Sequence, residues 1–261
     1  MSILIVEVVS EGILMAADRN ITHTAEGGAT SQPEAQDKVV RWPREDVVLG
    51  YVGAASLGGM SVPEWLEARR ADFSQTATLE EVARNLASQI ERQRATDRGS
   101  GTTQPMIVHL AGFESVRGHW IPAIWHIRNT HKLGAYGYLD VRKTYEVSEA
   151  FQTQFAEVDP SEVRDRLRVL AKQFTPFWIH QGIDLATFNA LGGAVRNSFK
   201  LLCEQHPKHD IPHTLSEWSK HAKMQVLMYS AYFDAFNDPG GQFVGGGADV
   251  LALDWPEGSA V

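Results

Sequence analysis

Three side chains early in the chain, Ser2, Asp18 and Lys38, are of types that together can do hydrolytic chemistry. Removing a Met that precedes a small residue would free the α-amine of Ser2, on the same residue that bears a hydroxyl. An α-amino group titrates at about 7.7–8.0, so near neutral pH a useful fraction is unprotonated and can take the proton of its own hydroxyl. One residue then supplies nucleophile and base, the single-residue version of the Ser–His pairing. The developing alkoxide needs a cation, which Lys38 can supply, and the amine needs orientation, which Asp18 can give. Taken singly, Asp18 also suits a strand-end turn and Lys38 a solvated surface.

The elements that must hold these groups are legible around them. The apolar run Ile3–Val9, with Glu7 inside it, is followed by Ser10-Glu11-Gly12 and a second run, Ile13–Ala17, that ends on Asp18. β-Branched residues broken by a short polar turn containing Gly predict a buried hairpin, which would carry Asp18 back towards Ser2. Lys38 opens the next apolar run, Val39-Val40, and residues 23–37, rich in Gly, Ala, Ser and Thr with Pro33, are expected to form a surface loop before it.

Counted from Ser2, the apolar strand, Gly12, the strand ending Ala16-Ala17-Asp18, and Thr22 together resemble the start of proteasome-type β subunits. They resemble equally the related bacterial ATP-dependent peptidase subunit. Lys38-Val39-Val40, then Val47-Val48-Leu49-Gly50-Tyr51-Val52-Gly53-Ala54, is similar to the family's next segment, and Val244–Leu253 to its late Gly-Gly strand. This resemblance implies an N-terminal-nucleophile (Ntn) hydrolase fold: an α+β, four-layer αββα sandwich of two mainly antiparallel sheets flanked by helices. It implies Ser2 in place of the family's threonine, Lys38 as the cation beside it, Asp18 orienting both, and the Gly53 N–H as oxyanion donor. No cofactor or metal is expected. The substrate would be a peptide or unfolded polypeptide, the subunits would self-associate into a ring or multi-subunit array, and an ATPase partner is admitted. Where the family places a further Asp and Ser before the Gly-Gly strand, this chain has Gln242 and Gly245, with Asp238 as a loose substitute, and Gly134–Tyr138 lacks the mid-chain Ser. Two alternatives stand beside the peptidase: an amidase of the same fold acting on small molecules, and a silent structural subunit.

The rest of the chain fits this plan. At 261 residues with 43% hydrophobic content it can bury a substantial core, and without an obvious linker it reads as one domain, 1–261. A net charge of −8 provides no basic field for nucleic acid or an anionic membrane. No apolar run approaches the roughly 18–20 residues of a membrane span, and no secretory leader is evident, so a cytoplasmic location is expected. Cys203 is the only cysteine, which excludes an intrachain disulfide, and Leu201-Leu202 beside it suggest a buried thiol.

Pro63 with Trp65, Leu66 and Phe73 predicts one helix. Thr78 with Glu81 has capping-box spacing ahead of a second, striped by Leu79, Val82, Ala83, Leu86 and Ile90. Residues 106–112 and 121–127 predict a strand hairpin, and about 160–238 a long helical region. Two strands, helices, a hairpin, more helices and a late strand fit two stacked sheets between helix layers. His206, His209 and His213 superficially resemble a metal cluster, but Pro207 and Pro212 interrupt any regular face that would present them together. The apolar segments holding Trp65, Phe177 and Trp178 are expected to supply subunit contacts, as does part of the helical region.

Overall fold

The computed structural model describes residues 2–21, 34–97, 104–133, 138–173, 176–181, 192–195, 197–198, 200–201, 204–205, 211–236 and 246–258. In chain order the elements begin with β1 (Leu4–Val9), β2 (Gly12–Asp18), β3 (Asn20–Ile21), β4 (Glu34–Ala35), β5 (Val39–Arg41), β6 (Val47–Gly53), β7 (Ser56–Leu57) and β8 (Met60–Ser61). They continue with α1 (Val62–Ala68), α2 (Leu79–Thr96), β9 (Met106–Val116), β10 (His119–Leu133), β11 (Tyr138–Glu149), α3 (Phe151–Gln154) and α4 (Val163–Lys172). Last come β12 (Phe177–Gln181), the helix Leu215–Phe236, called α5 here, and β13 (Ala248–Asp254). The chain is α+β. Among the described residues a four-stranded sheet has the order β12-β1-β2-β13, a five-stranded sheet the order β11-β10-β9-β6-β5, and β3-β4 and β7-β8 form two-stranded ribbons, with antiparallel pairing throughout.

The expected N-terminal hairpin is present, with Leu4 opposite Ala17 and Val9 opposite Gly12. Both of its faces are covered, which explains why β1 and β2 are apolar runs rather than alternating ones. Leu4, Val6, Val8, Met15 and Ala17 meet Val39, Val48, Val52 and Ala111 of the other sheet. Ile3, Ile5 and Ala16 face α5 through Ala222, Val226 and Tyr229. The sheets approach closely at Gly50, where an added Cβ would lie 2.5 Å from Met15 Sδ and 2.6 Å from Leu4 Cδ1. Glu7, on the helix-facing side, is fully buried; its Oε1 accepts from Gln225 Nε2, and its Oε2 lies 3.7 Å from His221 Nδ1. A buried carboxylate needs such partners, so Glu7 ties β1 to α5.

The other sheet's far face rests on α1 and α2. Thr78 and Glu81 close the predicted capping box, with Thr78 N–H donating to Glu81 Oε2 (2.8 Å) and Glu81 N–H to Thr78 Oγ1 (3.2 Å). A second box, Ser61 with Glu64, starts α1. The stripe Leu79, Val82, Ala83, Leu86 and Ile90 is buried with Trp65, Leu66 and Phe73 against Leu49, Tyr51, Val108 and Leu110. Burying each such large side chain contributes about 1.5–3 kcal/mol.

Three expectations are corrected. The region 160–238 is not continuously helical: β12 interrupts it, pairing Val8 with Phe177 and Glu7 with Trp178. A strand forms there because β1 has a free edge beside β2, and the run Phe177-Trp178-Ile179 after Pro176 fits a pleated, half-buried surface. Trp65 (0% exposed) and Phe177 (7%) are core residues, so neither is available as a surface contact. The 106–127 hairpin is also longer than its apolar runs indicate and gains a third strand, β11, whose polar residues hid it.

Candidate active site

Asp18 ends β2 opposite the start of β1. Its backbone N–H donates to the Ile3 carbonyl (3.3 Å), and its carboxylate Oδ1 accepts the Ile3 N–H (2.8 Å). The carboxylate therefore caps the first peptide of the strand and lies beside Ser2. Lys38 immediately precedes β5, held there by Tyr51 N–H donating to its carbonyl (3.1 Å). From that position its Nζ reaches Ser2 Oγ (3.0 Å), Asp18 Oδ2 (3.0 Å) and the Asn20 carbonyl. Lys38 is 2% exposed and Asp18 is fully buried.

This geometry restricts what the lysine can do. An ammonium has three hydrogens and here three acceptors. In the neutral amine only two remain, and the Asp18 carboxylate and the Asn20 carbonyl can only accept. Those two take the hydrogens, and the lone pair is left towards Ser2 Oγ, the one partner with a proton to give. Burial pushes the Lys38 pKa below its ordinary value, opposed by the charge and hydrogen bond of Asp18. Desolvation thus favours the proton-accepting form, while Asp18 keeps it oriented.

The delivery of Lys38 to Asp18 depends on the pairing outside them. Asn20 pairs with Ala35 and Ile21 with Glu34, and Gln36 N–H donates to the Arg19 carbonyl (2.9 Å). Arg19 Nη2 then meets Asp37 Oδ1 at 2.8 Å. Consecutive residues therefore form two rungs of opposite polarity: Asp18–Lys38 buried inside, Arg19–Asp37 half-exposed outside. Sequence reasoning missed Arg19, Asn20 and Asp37. The available signals were the complementary charges flanking Asp18 and Lys38, and the i, i+2 spacing of Asn20 from Asp18 on one extended face.

Ser2, Asp18 and Lys38 are brought together. Gly53 ends β6, two residues beyond the Tyr51 that anchors the Lys38 backbone; it is exposed, with φ of +99°. Gly246 has a steric role: with φ of +70°, an added Cβ would lie 2.3 Å from Asn20 Oδ1, so a side chain there would displace the residue whose carbonyl holds Lys38. Thr22, Gly134–Gly137, Asp238, Gln242, Gly245, Cys203, His206 and His209 lie outside the described residues. His213 is exposed, and its N–H donates to Glu217. Among the described residues no group of three His, Cys, Asp or Glu is disposed to hold a metal, and no helix is long and apolar enough to cross a membrane.

An α+β fold of antiparallel sheets with a buried Lys–Asp pair on a hydroxyl at the first strand is the class that structure and site define. No protein-family model and no curated protein matches the sequence. Among solved structures, the chain is similar to Anbu, described as an ancestral beta-subunit, from Yersinia bercovieri: 15% identity, 97% of this chain and 82% of that one covered, TM-score 0.52. It is similar also to a mutant Anbu from Hyphomicrobium sp. strain MC1, at 12% identity, the same two coverages and a TM-score of 0.51. At these identities the likeness is one of fold.

Proposed function

We propose that the chain is a proteasome-like N-terminal-serine hydrolase that cleaves peptide bonds, built as a single Ntn domain with its two sheets sandwiched between helix layers. The observation that supports this reading best is the Lys38 Nζ–Ser2 Oγ contact of 3.0 Å with Asp18 on the other side of the amine. After the bond before Ser2 is cut, the hydroxyl attacks a peptide carbonyl while Lys38 and the freed α-amine take up and return its proton. The Ser2 Oγ–carbon bond forms, the tetrahedral oxyanion rests on the Gly53 N–H, and the amine half of the substrate leaves with a proton. Water then cleaves the acyl-enzyme ester and restores Ser2. A donor in the oxyanion position is worth about 10²–10³ in rate in other enzymes.

The test is the intact mass of purified protein with and without a β-lactone. One adduct per chain at Ser2, in protein lacking Met1, is expected; Ser2→Ala removes it and Ser2→Thr retains it. An adduct elsewhere, or none on correctly processed protein, refutes the mechanism. The reading places the enzyme in the cytoplasm as a homo-oligomer of at least six chains, because an unselective peptidase must be walled off from folded proteins. With Trp65 and Phe177 buried, the exposed Met224, Leu227 and Met228 of α5 are the better contact residues. Light scattering at micromolar concentration checks this: a stable monomer would favour the small-molecule amidase instead.

A further inference from the structure

Lys38 does not reach the site by following the pleat of its strand. Val39 is buried between the two sheets, whereas Val40 packs on the helix-facing side with Tyr51. Strict alternation along β5 would put Lys38 on the side of Val40. Its Nζ nevertheless meets Ser2 Oγ and Asp18 Oδ2, at the open end of the hairpin in the other sheet. The chain therefore leaves the pleat at Lys38, and whatever fixes that departure aims the amine.

Two hydrogen bonds from one residue, Tyr51, grip the backbone there. The Tyr51 N–H donates to the Lys38 carbonyl at 3.1 Å, and Tyr51 Oη donates to the Asp37 carbonyl at 3.2 Å. These carbonyls belong to the peptide groups on either side of the Lys38 Cα. A peptide group is planar, so holding its carbonyl restrains the whole plane, and two restrained planes set the direction of the Cα–Cβ bond between them. The backbone bond is an ordinary antiparallel one, open to any residue but proline; the hydroxyl bond needs tyrosine. The phenol suits this use. Tyr51 is 1% exposed, in the cluster that includes Trp42, Leu49 and Val108. Burial, followed by the negative charges of Asp37 and Asp18, raises its pKa above the ordinary tyrosine value, so it remains a donor through neutral pH, where the Ser2 α-amine titrates.

We propose that Tyr51 is a positioning residue: its hydroxyl and its backbone N–H hold the two peptide planes flanking Lys38 and so aim the amine at Ser2. The inference rests on the assignment of Ser2 and Lys38 as the reacting groups, and it adds a side chain that acts only through the backbone of one of them. Without the hydroxyl, the Asp37–Lys38 peptide gains freedom to rotate while the backbone bond to the Lys38 carbonyl stays in place. Misplacement of a reacting group by about 1 Å can cost about 10²-fold in rate; with one of the two grips retained, a loss of about tenfold is expected.

Tyr51→Phe is the informative variant, because it deletes the hydroxyl and keeps the ring in its cluster. The experiment uses the full chain and two readouts: the rate of Ser2 acylation by a β-lactone, and the titration of the Lys38 ammonium followed by NMR of isotope-labelled lysine. Tyr51→Phe should slow acylation about tenfold. It should also move the Lys38 titration up towards the ordinary lysine value, since burial is what depresses it and a loosened side chain reaches water. Tyr51→p-aminophenylalanine, whose amino group donates as the hydroxyl does, should restore both. The positioning role is overturned if the Phe variant is acylated at the wild-type rate, if it slows with an unmoved Lys38 titration, or if the aminophenyl variant is as slow as Phe. Should the Phe variant fail to fold, the aminophenyl variant decides: a wild-type rate is expected, and a tenfold slower one overturns the proposal. If wild-type protein is not acylated at all, the assignment of Ser2 fails, yet the Lys38 titration still decides the grip: an unchanged titration in Tyr51→Phe overturns it.

Discussion

Replacing Asp18 by Asn and Lys38 by Met, singly and together, tests whether the buried pair is a coupled unit. Asp18 is fully buried and Lys38 is 2% exposed, at 3.0 Å, so each charge depends on the other. Removing one partner of such a pair costs about 3–5 kcal/mol, because the survivor is left buried without its ion-pair partner. In Lys38→Met the Asp18 carboxylate keeps the Ile3 N–H but loses the ammonium 3.0 Å away. In Asp18→Asn, Lys38 keeps the Asn20 carbonyl and Ser2 Oγ, and its already depressed pKa falls further. The double variant removes both charges, so its loss should be smaller than the sum of the singles by about 2–3 kcal/mol, within the range of contacting residues. At about 2–4 °C per kcal/mol for a chain of this size, each single should melt about 6–20 °C lower. Urea denaturation of the four proteins supplies the cycle, and additive losses would refute the coupled pair. All three variants should lose peptide hydrolysis, since none retains both proton acceptor and orienting charge.

The pH dependence of stability should carry the mark of Lys38. Its folded pKa is lowered by burial, so between that value and the ordinary lysine pKa of about 10.4 the unfolded chain holds more protons than the folded one, and stability rises with pH across that window. Below the folded pKa the cost of burying the charge is fully present. Urea midpoints of wild type should therefore gain on those of Lys38→Met as pH is raised from neutrality; parallel curves would contradict the depressed lysine. Gly53→Ala should cost both stability and turnover: the residue has φ of +99°, and the new Cβ would meet the Pro105 carbonyl oxygen at 2.1 Å. Backbone strain of this kind costs of order 1–3 kcal/mol, and an unchanged melting temperature with full activity would place the oxyanion donor elsewhere.

Local sequence determined the parts whose cause is local. The runs on either side of Ser10-Glu11 had to form a two-faced buried hairpin, Thr78 and Glu81 had to cap a helix, and the stripe from Leu79 to Ile90 had to face a core, because side-chain period and turn chemistry act over a few residues. The order Ser2, Asp18, Lys38 was legible for the same reason, each standing at the start or end of an apolar run. Tertiary structure alone decided what depends on pairing between distant segments. Whether 177–181 is helix or strand was set by the free edge of β1, which no local period reveals, and β11 formed although its residues are largely polar. The contact that turns three residues into a site came from the β3–β4 ribbon and the Arg19–Asp37 rung, which bring Lys38 back to Asp18 across a long connection. Asp249 comes within 3.3 Å of Arg19 only because β13 pairs with β2. Sequence patterns specify which face of an element is buried, but the register between elements far apart in the chain is fixed by the packing of the whole.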